Sequence, residues 1–103
     1  MEITDEERDL YRRTVNVWGI KAQMNMLMEE CGELIVACCH LERGRVGPKR
    51  MAEEIADVQN MINQVICILD DEMDGENQMS RLVDLQMLVK MERTERRLEL
   101  EKD

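Results

Sequence analysis

The chain has 103 residues, 44% of them hydrophobic and 36% charged, with 14 Lys+Arg against 23 Asp+Glu and a net charge of −9. That length suits a single domain spanning 1–103, and the high charged fraction suits long amphipathic helices. One Pro, five Gly, one Trp, one Tyr and no Phe speak against a sheet, and so acidic and aromatic-poor a chain excludes a nucleic-acid polymer or an anionic membrane surface as partner.

The elements follow in chain order. Residues 4–18 read as a first helix, with Thr4 as N-cap and Glu7 three residues later completing a capping-box pattern. The acidic start (Glu2, Asp5, Glu6, Glu7) is the opposite of a secretory leader, and no run approaches the ~20 apolar residues of a membrane span. A soluble, cytoplasmic protein is expected. Gly19 interrupts the helical pattern, and a second helix runs from 20 to about 43. Gly44, Gly47 and Pro48 mark the clearest loop, and a third helix covers about 48–70. After an acidic turn containing Gly75, a fourth helix covers about 77–99. The expected fold is therefore all-α, a four-helix bundle. Ten methionines are expected to fill core gaps left by the missing aromatics. Cys31, Cys38, Cys39 and Cys67 are expected as buried or half-buried thiols. Cys38, Cys39 and His40 point in three directions from one helix and cannot share a zinc ion.

Two segments carry chemistry: Glu29-Glu30-Cys31-Gly32-Glu33 and Glu53-Glu54-Ile55-Ala56-Asp57. Each sets two carboxylates at i and i+3 on one helix face. At about 100° per residue, Glu30 and Glu33 share a stripe with Gln23, Met26, Ala37 and Leu41. Glu54 and Asp57 share one with Met61, Val65 and Ile68. The wet side of the second helix lies elsewhere, around Lys21, Asn25, Glu29, Gly32 and Arg43. Carboxylates on stripes that face other helices repel by roughly 3 kcal/mol per pair at about 5 Å and an effective dielectric of about 20. Protonation, pairing with Arg or Lys, or a divalent cation relieves that repulsion. An all-oxygen donor set selects hard ions, Mg²⁺ or alternatively Mn²⁺, and such ions recruit phosphate oxygens and water.

Glu30-x-x-Glu33, twenty residues, then Glu54-x-x-Asp57 resembles the pattern of the MazG-like, all-α nucleoside triphosphate pyrophosphohydrolases. Trp18-Gly19, Gln23, Glu53-Glu54-Ile55-Ala56-Asp57-Val58 and the closing Lys90-x-x-Arg93-x-x-x-Arg97 extend the likeness to a short bacterial or phage type of member. The resemblance implies a MazG-like bundle completed by assembly into a homodimer or homotetramer. It also implies Mg²⁺-dependent hydrolysis of a nucleoside triphosphate at the α–β phosphoanhydride, giving monophosphate and pyrophosphate, as nucleotide-pool house-cleaning. Glu30, Glu33, Glu54 and Asp57 are then the metal ligands. Glu29 and Glu53 are candidates for positioning or deprotonating water. Gln59 and Asn60 stand where members often carry a further acidic residue. Trp18 is a candidate to stack on the base or to sit in the core, and Gln23 to read a base edge or cap a buried polar contact. Arg50 is a candidate to neutralise a carboxylate or meet a phosphate, and Lys90 and Arg93 to contact phosphate or pair with Glu92, Glu95 and Glu99. His40 falls on the wetter side and is expected to be idle. The rival reading is a non-catalytic helical adaptor with solvated acidic faces. A di-iron bundle needs Glu-x-x-His pairs, and His40 is the one histidine.

Overall fold

Thr4 starts the first helix as its neighbours dictate. The Thr4 side chain accepts from the Glu7 backbone N–H at 3.1 Å, and Glu7 Oε1 accepts from the Thr4 N–H at 3.2 Å, which satisfies two donors of the open helix end. The computed structural model describes residues 2–102. Its order is α1 (Asp5–Trp18), α2 (Ile20–Glu42), α3 (Pro48–Glu72) and α4 (Gln78–Leu100), with no strand among the described residues. The all-helical, four-helix expectation holds, and α3 runs two residues beyond its expected end. No helix among the described residues is long and apolar enough to cross a membrane.

Gly19 separates α1 from α2 at φ +89°, a backbone region that costs an L side chain strain and glycine none. Its N–H still reaches the Val15 carbonyl at 2.8 Å, and its carbonyl accepts from Gln23 N–H at 3.3 Å. The chain thus turns within one residue. Pro48 opens α3 at its first position, where a missing N–H costs nothing. The short loop before it returns α3 alongside α2. Gln23 bonds Gln64, Glu30 shares a groove with Asp57, and Glu33 meets Glu54. Steps forward on α2 match equal steps backward on α3, so the pair is antiparallel, with both acidic motifs at the same level.

The core is small. Ile3, Tyr11, Ile66 and Cys67 form its centre, with Met79 and Val83 packed against it. α1 and α4 each meet α3 here. Beyond this contact α4 projects, and residues 85–102 are all exposed. The radius of gyration is accordingly 16.7 Å, against about 13 Å for a compact chain of about 100 residues. Two packing expectations are corrected by this shape. Of the described methionines (Met1 lies outside the described residues), Met79 packs against the core and Met51, Met61 and Met73 are half-buried, whereas Met24, Met26, Met28, Met87 and Met91 are exposed instead of filling it. Cys38 and Cys39 are exposed as well, Cys31 is half-buried, and only Cys67 is buried.

Candidate metal centre and its two grooves

Midway along the α2–α3 pair, acceptor oxygens of Glu30, Glu33 and Glu54 lie within 4.8 Å of one another. Glu54 is 2% exposed, because its position on α3 faces α2. Its Oε1 accepts from Arg50 Nη2 at 2.7 Å, one turn back on the same helix. Its Oε2 is buried with no hydrogen-bond partner, and so is Glu30 Oε2. An unpartnered buried carboxylate oxygen is costly. Burial raises the Glu30 carboxyl above the usual carboxylate range, aided by the negative charges of Glu33, Asp57 and Glu54 and by hydrogen bonding to Glu33. Anionic, convergent and short of donors, this donor set fits a hard divalent cation. Asp57 is exposed at its margin and lies outside the tightest set of three.

A groove opens on each side of the cluster. Toward Gly19 lies one of about 570 Å³, whose walls include Glu30 and Asp57 at one end and Trp18, Gln23, Asn60 and Gln64 beyond. Gln64 is buried and spans the three helices that form this end. Its Nε2 donates to Gln23 Oε1 at 2.6 Å and to Thr14 Oγ1. Trp18 is 63% exposed, so its ring is presented at the surface instead of filling the core. Toward the α2–α3 loop lies a second groove of about 420 Å³, lined by Glu29, Glu33, His40, Val46 and Arg50 among others.

The expected site residues divide accordingly. Glu30, Glu33 and Glu54 come together, with Asp57, Gln23 and Trp18 along the first groove and Glu29 and Arg50 along the second. Glu53 lies half-exposed beside Arg50, whose Nη1 is 3.7 Å from Glu53 Oε2, and it lines neither groove. Lys90 and Arg93 are exposed on the projecting part of α4, and the single chain does not bring them to the cluster. Sequence reasoning passed over Gln64, noted Asn60 only as a departure from the acidic pattern, and set His40 aside. The signal was present: Gln64 follows Asp57, and His40 follows Glu33, by seven residues, two helical turns on the same face.

No protein-family model, curated protein or solved structure matches the chain.

Proposed function

We propose that the chain is a Mg²⁺-dependent nucleoside triphosphate pyrophosphohydrolase of the MazG-like, all-α kind. The observation that carries this reading is the pair of buried, unpartnered oxygens, Glu30 Oε2 and Glu54 Oε2, in a cluster of converging carboxylates. A fold that only needed a solvated acidic face has no reason to bury them. Glu30, Glu33 and Glu54, with Asp57 at the edge, would hold the ion; Mn²⁺ suits the same oxygens. Bound Mg²⁺ supplies charge neutralisation at phosphate oxygens and acidifies a coordinated water.

The chain's own residues do the rest. Trp18 offers a ring face for stacking and Asn60 a neutral amide to a base edge, with the bonded Gln23–Gln64 pair closing the end of the groove. Water adds to a phosphorus of the α–β anhydride, and the bridging P–O bond breaks with its electron pair going to the departing oxygen. The water proton passes to a carboxylate. Glu29 is better placed for this than Glu53, because it lines a groove beside Glu33, whereas Glu53 stands beside Arg50 outside both grooves. The products are a nucleoside monophosphate and pyrophosphate.

The same proposal places the chain in a homodimer or homotetramer. More large apolar side chains are exposed than buried among the described residues, with Leu85, Met87, Leu88 and Met91 together on α4. A second copy's α4 is the route by which Lys90 and Arg93 would reach a site. The adaptor reading draws on this apolar helix too, yet it leaves the two orphaned oxygens without explanation. Incubation with a panel of nucleoside triphosphates, with and without Mg²⁺, decides between them. Metal-dependent appearance of monophosphate and pyrophosphate by phosphorus NMR is expected; orthophosphate without pyrophosphate overturns the α–β specificity, and no turnover overturns the enzyme reading.

A further inference from the structure

The two grooves flanking the acidic cluster differ in charge. The one toward Gly19 is lined by Thr14, Trp18, Gln23, Asn60 and Gln64 beside its carboxylates and has no cationic side chain. The one toward the α2–α3 loop has two basic side chains, Arg50 and His40, facing Glu29 and Glu33. It also abuts residues 43–52, which carry Arg43, Arg45, Lys49 and Arg50 and no carboxylate, in a chain of net charge −9. With a screening length of about 8 Å at physiological salt, that basic segment acts on its immediate surroundings and little beyond.

A nucleoside triphosphate is asymmetric in the same way, with a largely neutral, stackable base at one end and its negative charge at the other. We propose that the groove toward the α2–α3 loop holds the terminal phosphates, with Arg50 and His40 as its contacts, while the opposite groove holds the nucleoside. This assignment deepens the pyrophosphohydrolase reading above and rests on it. Arg50 is suited to the task by its present bond. Its guanidinium neutralises Glu54 at 2.7 Å and stands 3.7 Å from Glu53, yet the side chain is 53% exposed, so a ligand in the groove has access to the planar fork. Once a cation neutralises Glu54, the fork becomes available for bidentate recognition of phosphate. His40, two turns beyond Glu33 on α2, lines the same groove from the other helix. Lys90 and Arg93 line neither groove.

The test is calorimetric titration of the full chain with inorganic pyrophosphate, in the presence and absence of Mg²⁺, alongside melting curves with Mg²⁺ alone. The wild-type chain is expected to bind pyrophosphate only with Mg²⁺. Arg50→Ala is expected to weaken that binding at least about tenfold, as loss of a charge-assisted hydrogen bond implies, and His40→Gln severalfold. Both are expected to keep the Mg²⁺-induced rise in melting temperature. If Arg50→Ala does not fold because Glu54 is left uncompensated, Arg50→Lys retains the charge, loses the fork, and is expected to bind pyrophosphate more weakly. Trp18→Ala is expected to lose triphosphate affinity while keeping pyrophosphate affinity, since it alters the other end. Variants of Arg50 and His40 that bind Mg²⁺-pyrophosphate like wild type overturn the groove assignment alone. A wild-type chain that responds neither to Mg²⁺ nor to Mg²⁺-pyrophosphate overturns the enzyme reading with it.

Discussion

Two groups of buried charge sit on α3, and they are finished in opposite ways. Near its C-terminal end, Asp70 has a side chain 4% exposed and every oxygen satisfied. Oδ1 accepts from the Met79 and Ser80 backbone N–H groups at 2.6 and 3.2 Å. Oδ2 accepts from Ser80 Oγ at 2.8 Å and Arg8 Nη1 at 3.0 Å, while Arg8 Nη2 donates to Ser80 Oγ at 3.2 Å. Asn77, in the left-handed region at φ 56°, makes no side-chain cap, so Asp70 caps α4 from another helix. Near the N-terminal end, Glu54 has one oxygen on Arg50 and one on nothing, facing Glu30 and Glu33. A buried charge with a full set of partners pins the fold; a buried charge short of partners carries an uncompensated cost.

Removing a partner from each group separates these roles. Asp70→Ala strands the buried Arg8 guanidinium and the first amides of α4, so it is expected to cost about 3–5 kcal/mol, measured by urea unfolding. That is a large share of the stability of a small domain. Mg²⁺ should still raise the melting point of whatever fraction folds. Glu54→Gln should do the reverse. Turnover is expected to fall at least about a hundredfold, roughly 2.7 kcal/mol of barrier, while the metal-free fold is as stable as wild type or more so. A Glu54→Gln chain that unfolds, or one that turns over normally, erases the distinction between the two clusters.

Acid sharpens the comparison. Burial by itself would raise the Asp70 carboxyl, but hydrogen bonds from Ser80 and Arg8 and from the Ser80 and Met79 amides outweigh it and hold it below its usual value. Asp71 is held low by hydrogen bonding to Arg12, at 2.8 and 3.0 Å, against its partial burial. A carboxyl whose folded value is depressed contributes stability that is complete above the unfolded value of about 3.9 and lost as pH falls through the lower folded one. Stability of wild type should therefore drop across that acidic window. In Ser80→Ala, which strips hydrogen bonds from Asp70, the drop should be shallower. An equal slope in both chains would deny Asp70 its part.

Saturating Mg²⁺ is expected to raise the melting temperature by several degrees, since a ligand at tenfold its dissociation constant adds about 1.4 kcal/mol. Glu33→Gln should reduce that rise, and Ser80→Ala should not. The smallest effect belongs to Arg93→Ala. Exposed on α4, Arg93 is expected to contribute under about 1 kcal/mol of stability and to act on kinetics only through the site of a second copy. A raised KM in this variant would show that the α4 of a second copy enters the site.

The local signals were legible in the sequence because short-range chemistry writes them. Thr4 and Glu7 make the capping box, Gly19 has the positive φ that breaks one helix from the next, and Pro48 opens α3. The spacing of Glu30, Glu33, Glu54 and Asp57 was enough to set each acidic pair on one helix face at the α2–α3 contact, but not to show that Glu54 is buried, Glu30 half-buried, and Glu33 and Asp57 exposed. Periodicity reports which way a side chain points. It does not report what stands opposite.

What stands opposite was decided by the tertiary structure. Only the antiparallel register of α2 and α3 distinguishes Glu54, which is buried, from Asp57, which is exposed at the rim, although both lie on one stripe. The same register places Gln64 against Gln23 and brings His40 and Arg50 to one groove. Arg8 and Asp70 are 62 residues apart, a separation at which no helical period links them. And Lys90 and Arg93, a clear basic stripe in the sequence, ride on a helix that leaves the core, because each α-helix burial depends on an opposing surface that the helix's own residues do not supply.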